Sequence, residues 1–287
     1  MVALLRLGVT SRQQSSSLLL GCYATSCSAR RRFAQQRRRI GSSTSSSSNS
    51  SISTGGGGTH GGTTADRREQ AAAFQGVFTA ETSAELAAAY DTWAGTYDDT
   101  IAHELSGTGE NTVTVECVRV LSELVPAAGV KSVLDCGAGT GAAGPLLMQL
   151  YPDVSRLIAF DLSAGMLREA SRRGCYTATI QGCCPDMTDA AKAGDDGFYD
   201  LVFCAGTFTP NHAPPSTLAE LVDLTRPGGH IMFSVRSYFY EDLSSGFKVA
   251  VEGLEAAGQW QLVECRERDY LPKEDVMALY FLYRRTC

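Results

Sequence analysis

The chain has 287 residues, of which 25 are basic and 31 acidic, with a formal net charge of -6. Hydrophobic residues make up 44% and charged residues 20%, a composition typical of a soluble globular protein. No apolar run approaches the ~20 residues that a membrane-spanning helix needs, so we expect no membrane-spanning segment.

The charge is distributed unevenly along the chain. Residues 1–65 contain eight arginines and no acidic residue, which leaves 17 basic and 31 acidic residues, a net charge of -14, for residues 66–287. We therefore predict two parts, a leader over residues 1–65 and a folded domain over residues 66–287. The acidic domain offers no surface that would follow a phosphate backbone, so we expect no nucleic-acid partner.

The leader has the composition of an organelle transit peptide, because it is rich in Arg and Ser and free of acids. Residues 2–12 can form a short amphipathic helix, and Arg31-Arg32-Phe33-Ala34 resembles a mitochondrial processing site. The Ser- and Gly-rich stretch that follows cannot bury enough apolar surface to fold and predicts a disordered linker. We predict a mitochondrial location, with plastid or cytoplasm as alternatives; an unprocessed, disordered arginine-rich arm is the other interpretation.

Downstream of the leader, short β-branched runs alternate with helical patterns. The predicted helices cover residues 83–90, 111–125, 145–150, 164–173, 215–225 and 243–257. The predicted strands cover residues 131–135, 156–161, 176–181, 199–205, 230–235, 260–266 and 276–284. This alternation predicts an α/β fold: a Rossmann-like three-layer sandwich whose seven-stranded sheet is mostly parallel, with an antiparallel C-terminal strand.

The ten cysteines include no CxxC pair, and several lie in apolar stretches. Free cysteine behaves there as a small hydrophobic residue, so we predict reduced, structural thiols and no metal site.

A glycine-rich loop carries the strongest site signal. Gly137-x-Gly139-x-Gly141 follows the predicted strand 131–135 and precedes a helix. Glycine permits positive φ and lets the backbone lie against a ligand, and the helix N-terminus offers free N–H groups. The dinucleotide fingerprint is GxGxxG, of which only the second half is mimicked here. Asp135, two residues before the first glycine, would repel a pyrophosphate but suits a ligand with an ammonium group.

The second predicted strand ends at Asp161, 24 residues after Gly137. An acid at about this spacing binds ribose hydroxyls in nucleotide-binding folds, because one carboxylate accepts from both hydroxyls. The alternative role for Asp161 is at the start of the next helix, where Ser163 is the better N-cap.

Three segments together resemble those of class I S-adenosylmethionine-dependent methyltransferases. They are Leu134-Asp135-x-Gly137-x-Gly139-Thr140-Gly141, Phe160-Asp161-Leu162-Ser163-x-x-Met166-Leu167 and Arg226-Pro227-Gly228-Gly229. The segment Tyr90-Asp91-x-Trp93-Ala94-x-x-Tyr97-Asp98 resembles the one that lies over the methionine end of the cofactor in many members. Within the class, the chain most resembles the methyltransferase-like protein 27 type, and this resemblance covers about residues 83–272.

The resemblance implies S-adenosylmethionine as the cofactor and a role for each matching residue. The glycines pass beneath the methionine, Asp135 orients its ammonium group and Asp161 binds the ribose. Leu162 and Met166 border the adenine, Tyr97 closes over the carboxylate, and Asp186 is the candidate for the adenine amine. The implied cofactor-binding residues are Tyr97, Asp135, Gly137, Ala138, Gly139, Gly141, Asp161, Leu162, Met166 and Asp186. Core packing is the alternative explanation for the aromatic residues of the Tyr90–Tyr97 segment, which share one helical face.

Methyl transfer from a sulfonium requires alignment and desolvation more than a protein nucleophile. Where an acceptor needs a general base, His212 is the candidate, because its loop follows the fourth predicted strand; a surface histidine is the alternative. We expect a small-molecule methyl acceptor. A non-catalytic assembly module stays open, as does an NAD-dependent reductase, although Tyr270 and Lys273 lack the Tyr-x-x-x-Lys spacing.

Overall fold

The computed structural model describes residues 64–187 and 198–287, all of which belong to one compact unit, His60–Cys287. The predicted transit peptide and processing site, and the predicted linker up to residue 63, lie outside these residues. Across the described part of the chain, every helix is too short or too polar to cross a membrane.

Helices and strands alternate along most of the described chain. The helices are α1 (Thr64–Thr79), α2 (Ser83–Trp93), α3 (Tyr97–Asp99), α4 (Thr112–Leu124), α5 (Ala143–Leu150), α6 (Ala164–Arg172), α7 (Thr217–Leu224), α8 (Ser237–Glu241) and α9 (Phe247–Ala256). The strands are β1 (Ser132–Cys136), β2 (Arg156–Asp161), β3 (Ala178–Gln181), β4 (Tyr199–Phe208), β5 (Thr225–Arg236), β6 (Trp260–Leu271) and β7 (Val276–Arg285). A π-helical segment, Thr100–Ser106, continues α3.

The seven strands form one sheet in the order β3-β2-β1-β4-β5-β7-β6. Strands β1 to β5 pair in parallel, whereas β7 runs antiparallel to both β5 and β6. The predicted fold class is thus confirmed. The strand order reverses between β1 and β4, and in open α/β sheets ligands bind beyond the carboxyl ends of the strands at such a reversal.

Side chains of alternating positions in the strands build a core on each face of the sheet. Leu134 and Phe160 belong to the core on one face, which includes residues of α7 and α9. Val133 and Leu157 belong to the core on the other face, which includes residues of α4 and α5. With both faces covered, β1 is buried at all five positions, as expected for a central parallel strand.

Helices α1 and α2 form a small core of their own around Val77, Leu86 and Trp93. A capping box starts α2, because the Thr82 hydroxyl accepts from the Glu85 N–H and the Glu85 carboxylate accepts from the Thr82 N–H. Helix α1 was not predicted and begins inside the predicted leader. It is stabilised by packing against α2, and the periodicity of the sequence does not indicate this contact.

Candidate functional site

A cavity of about 730 Å³ lies at the carboxyl ends of β1, β2 and β4, between the sheet and the α1–α2 hairpin. Predicted site residues that line it are Tyr97, Gly137, Gly139, Asp161, Leu162, Met166 and His212. A smaller recess shares three of these lining residues and is also lined by Asp135 and Ala138. The structure therefore brings most of the predicted site together.

The glycine loop turns sharply after β1. Gly137, Gly139 and Gly141 have φ of 70°, 55° and 78°, in the left-handed region that glycine adopts without strain. The N–H groups of Gly137 and Ala138 donate to the carbonyl of Phe160, at 2.8 and 3.0 Å, which fixes the loop against β2. A Cβ on Gly139 would have no protein atom within 4 Å, so this backbone is open to a ligand.

Asp161 is 8% exposed at the end of β2 and holds the loop with its carboxylate. Oδ2 accepts from the Gly139 N–H at 2.8 Å, and Oδ1 accepts from the Ser163 N–H at 2.9 Å. Ser163 is the N-cap of α6, since its hydroxyl accepts from the Met166 N–H. Burial raises the pKa of Asp161, and the backbone donors oppose this shift. The carboxylate keeps lone pairs for further donors on the cavity side.

Asp135 is 2% exposed at the end of β1 and lines the smaller recess. The hydroxyl of Tyr176 donates to Asp135 Oδ2 at 2.6 Å. Burial raises the pKa of Asp135 to about 7, with a smaller opposing contribution from the Tyr176 hydrogen bond. A buried acid of this kind is poised to become ionised when a cation arrives.

Two predicted residues line neither recess. A Cβ on Gly141 would lie 2.9 Å from the Ala170 backbone, so this glycine permits close packing of α6 on the loop. Asp186 is exposed, with φ of 87°, and its N–H donates to Glu220. Near the predicted adenine position, Cys183 and Cys184 line the cavity. Among the described residues, His, Cys, Asp and Glu form no cluster that could hold a metal ion.

Two carboxylates of the N-terminal helices, for which the sequence indicated no role, hold these helices against the glycine loop and α6. Asp91 Oδ1 accepts from the Ser163 hydroxyl and the Gly165 N–H, each at 2.6 Å. Asp98 accepts from the Thr140 hydroxyl and pairs with Arg173, each at 2.5 Å. The close approach requires a glycine, because a Cβ on Gly165 would lie 2.7 Å from the Asp91 Cα.

The aromatic residues of α2 and α3 divide between the two roles considered for them. Trp93 is 4% exposed in the core of the hairpin, with the ring of Tyr97 4.7 Å away. Tyr90 and Tyr97 both line the cavity. Burial raises the pKa of each tyrosine, so both hydroxyls are protonated at neutral pH.

His212 is a partly buried residue of the cavity wall rather than a free surface histidine. Its Nδ1 lies 2.8 Å from the Pro210 carbonyl and 2.9 Å from the Thr209 hydroxyl. Because the carbonyl can only accept, we assign the proton to Nδ1. Its Nε2 then accepts from the Tyr90 hydroxyl at 2.7 Å. Burial lowers the pKa of His212, and the charge of Arg236 adds to this effect. His212 is therefore neutral, with both ring nitrogens occupied.

The sequence also matches known proteins. Residues 133–229 match a family model described as a methyltransferase domain. A demethylmenaquinone methyltransferase from Renibacterium salmoninarum is 30% identical over 154 residues, 54% of this chain and 60% of that protein. A malonyl-acyl-carrier-protein O-methyltransferase from Halorhodospira halophila is 34% identical over 117 residues, 40% of this chain and 39% of that protein. The chain thus spans less than two thirds of the length of these curated relatives.

Solved structures share the fold at low identity. The O-methyltransferase TomG from Streptomyces achromogenes, in complex with S-adenosylmethionine, has a TM-score of 0.50 at 12% identity, covering 69% of this chain and 90% of that chain. A Listeria monocytogenes protein assigned to the class I S-adenosylmethionine-dependent methyltransferases has a TM-score of 0.50 at 13% identity, covering 73% and 70%. Residues 133–229 are therefore similar to a methyltransferase domain, and the chain shares the fold of these methyltransferase structures.

Proposed function

We propose that the protein is an S-adenosylmethionine-dependent methyltransferase that acts on a small-molecule acceptor. One observation carries the proposal: the Asp161 carboxylate accepts a hydrogen bond from the Gly139 N–H of the glycine loop and also lines the cavity. Both residues lie within residues 133–229, which match the methyltransferase-domain model. Within the class, we propose the methyltransferase-like protein 27 type as the nearest relative, on the segments Leu218-Ala219-Glu220-Leu221 and Leu254-Glu255-x-x-Gly258-x-Trp260.

The residues of the site fit this cofactor. Asp161 offers acceptors for the two ribose hydroxyls, and Gly139 leaves the space that a passing ligand needs. Asp135 offers a carboxylate to the ammonium group of the methionine. Leu162 and Met166 supply apolar contacts for the adenine, beside Cys183.

Bound S-adenosylmethionine supplies an electrophilic methyl group on a sulfonium. The chain itself aligns the two reactants and excludes water. Tyr90 and Tyr97 close the cavity on the side of the N-terminal helices, which Asp91 and Asp98 hold in place. His212, the proposed base, keeps its Nε2 lone pair on the Tyr90 hydroxyl, so it becomes available only when that hydrogen bond is exchanged for one to the acceptor.

The small-molecule acceptor rests on the relatives and on charge. The relatives are named for demethylmenaquinone and malonyl-acyl-carrier protein as acceptors, and a third for ubiquinone biosynthesis. The excess of acids over residues 66–287 disfavours a polynucleotide acceptor.

We also propose that residues 1–65 direct the protein to the mitochondrion, on the strength of their arginines and their lack of acids. A fusion of residues 1–53 to a fluorescent protein should accumulate in mitochondria. A diffuse cytosolic signal would contradict this address, and a plastid signal in plant cells would favour the alternative.

Calorimetric titration of the purified protein with S-adenosylmethionine, S-adenosylhomocysteine and NAD tests the cofactor assignment. We expect saturable binding of the first two and none of NAD. Binding of NAD alone would exclude a methyltransferase. Binding of S-adenosylmethionine without slow hydrolysis or transfer to any acceptor would favour the non-catalytic module instead.

A further inference from the structure

The last residue of β5, Arg236, is a partly buried cation at the carboxyl end of the sheet. Its guanidinium carbon lies 4.9 Å from the centre of the Tyr270 ring, and its Nη1 lies 3.4 Å from the Tyr238 hydroxyl. Its Nε is buried and has no hydrogen-bond partner. The contacts of Arg236 are therefore aromatic, and one strong donor stays unsatisfied.

No carboxylate of the described residues lies within 4.0 Å of this guanidinium, whereas Arg173, Arg226 and Arg266 each pair with an acid. A buried or half-buried charge costs free energy unless it is paired. Arg156 and Arg285 also lack an acid among the described residues, but they donate to carbonyl or hydroxyl oxygens, whereas Arg236 keeps an unsatisfied Nε. This difference indicates that a ligand supplies the counter-ion of Arg236.

Arg236 adjoins the cavity without lining it. The hydroxyl of Tyr270, whose ring the guanidinium covers, donates to the carbonyl of Gly206, a lining residue. The charge of Arg236 also acts on three other residues: it opposes the rise that burial causes in the pKa of Tyr90 and of Tyr97, and it adds to the lowering of the pKa of His212. All three line the cavity, and His212 is the residue proposed as a base for the acceptor. Arg236 therefore lies beside the part of the cavity proposed for the acceptor.

We propose that the methyl acceptor carries a carboxylate and that this carboxylate pairs with Arg236. The inference rests on the proposed function. A planar guanidinium pairs with a carboxylate through two parallel N–H donors, and the unsatisfied Nε belongs to one such edge. A single arginine beside the cavity suits a monoanion, because no lysine or arginine of the described residues lines the cavity itself to neutralise a phosphate dianion.

The test compares acids with their neutral amides as probes of the protein loaded with S-adenosylhomocysteine. Ligand-observed NMR titrations use benzoate and hexanoate against benzamide and hexanamide, with inorganic phosphate as a further probe. Each acid should bind about tenfold more tightly than its amide. Arg236→Gln should remove this preference, and Arg236→Lys should retain only part of it. Arg268→Gln, at an exposed arginine of β6, is the matched control and should change nothing.

The affinity for S-adenosylhomocysteine, measured in the same samples, separates the two ideas. If the unaltered protein fails to bind it, the proposed function fails. If it binds but prefers neither acid over its amide, or prefers phosphate over benzoate, the carboxylate proposal is overturned and the proposed function stands. A preference that survives in Arg236→Gln with normal S-adenosylhomocysteine affinity also overturns it. If Arg236→Gln does not fold, Arg236→Lys decides: a preference for acids over amides as strong as in the unaltered protein would contradict pairing of the carboxylate with the planar guanidinium.

Discussion

The two sides of the cavity are built differently. On the side proposed for the cofactor, here called the cofactor side, Gly139 and Asp161 lie 22 residues apart and meet through a backbone N–H. On the side proposed for the acceptor, here called the acceptor side, Tyr90 and His212 lie 122 residues apart and meet only through their side chains. The first arrangement depends on chain geometry that a short motif determines, whereas the second depends on how distant segments pack. We therefore expect the cofactor side to be most sensitive to changes that alter its backbone. We expect the acceptor side to be most sensitive to the loss of single side-chain contacts.

The largest expected effect tests the buried acid of the cofactor side. The folded-state pKa of Asp135 is raised from 3.8 to about 7, so the unfolded chain loses this proton first as the pH rises. Stability is therefore full below pH 4 and falls by about 4 kcal/mol towards pH 7 and above. Asp135→Asn removes the ionisable group and should abolish this loss. Urea unfolding of both proteins at pH 4 and pH 8, without cofactor, measures the difference.

The cofactor should reverse this effect, because its ammonium group favours the ionised Asp135. Titrations with S-adenosylmethionine at pH 6.5 in buffers of different ionisation enthalpy should then show proton release. If the unaltered protein and Asp135→Asn showed the same pH dependence of stability, Asp135 would be ionised in the folded protein, and its pKa would not be raised.

The second prediction concerns the backbone where the two sides meet. A Cβ on Gly137 would lie 2.1 Å from Thr207 Oγ1, in addition to the strain of a φ of 70°. Gly137→Ala should therefore lower the free energy of unfolding by about 3 kcal/mol. Gly174→Ala carries similar φ strain with no neighbour within 4 Å, and should cost about 1 kcal/mol. Chemical denaturation measures both values.

A variant of Gly139 distinguishes an effect on the free energy of unfolding from an effect on ligand affinity. Gly139→Ala meets no protein atom within 4 Å, so its stability should match that of Gly174→Ala. Its affinity for S-adenosylhomocysteine should nevertheless fall, because the new methyl group occupies ligand space, whereas Gly174→Ala should bind normally. Equal affinities of these two variants would place the ligand away from the loop.

The third prediction tests the ribose position. Asp161→Ala should weaken S-adenosylhomocysteine binding by about 1.5–3 kcal/mol, as expected when hydrogen bonds to a charged group are lost. Calorimetric titration measures the loss, with Asp153→Ala, an exposed acid, as the control. Unchanged affinity would leave Asp161 with only the structural role of holding Gly139 and Ser163.

The same contrast explains which features the sequence could predict. The seven strands, the glycine loop and Asp161 follow from residue patterns within short segments, and the structure places them as expected or within a few residues. The docking of Asp91 on α6 joins residues 74 apart in sequence, and nothing in either segment alone indicates it. Arg236 was missed for the same reason, because its lack of an acidic partner is a property of the packed chain. Asp186 was chosen by its place after β3, yet its local turn leaves it outside the cavity.

The smallest expected effect concerns the acceptor side, where single side-chain contacts carry the arrangement. Tyr90→Phe removes the donor to His212 Nε2 and leaves the ring packing of Tyr90 in place. Because one hydrogen bond between neutral groups is lost, stability should fall by about 1 kcal/mol. The hydrogen bond stabilises neutral His212, so its removal should move the lowered pKa of His212 upward, towards 6.5.

Nitrogen-detected NMR of His212 measures both its tautomer and its pKa. In the unaltered protein, Nδ1 should carry the proton and Nε2 should respond to Tyr90→Phe, since only Nε2 faces that hydroxyl. His230 serves as the internal control, because its pKa is lowered by burial and by Arg284, neither of which involves Tyr90. A shift of His212 that His230 does not share would establish the contact. If Tyr90→Phe left the His212 resonances unchanged, the two segments would not meet in solution, and the acceptor side would lack the arrangement that distinguishes it from the cofactor side.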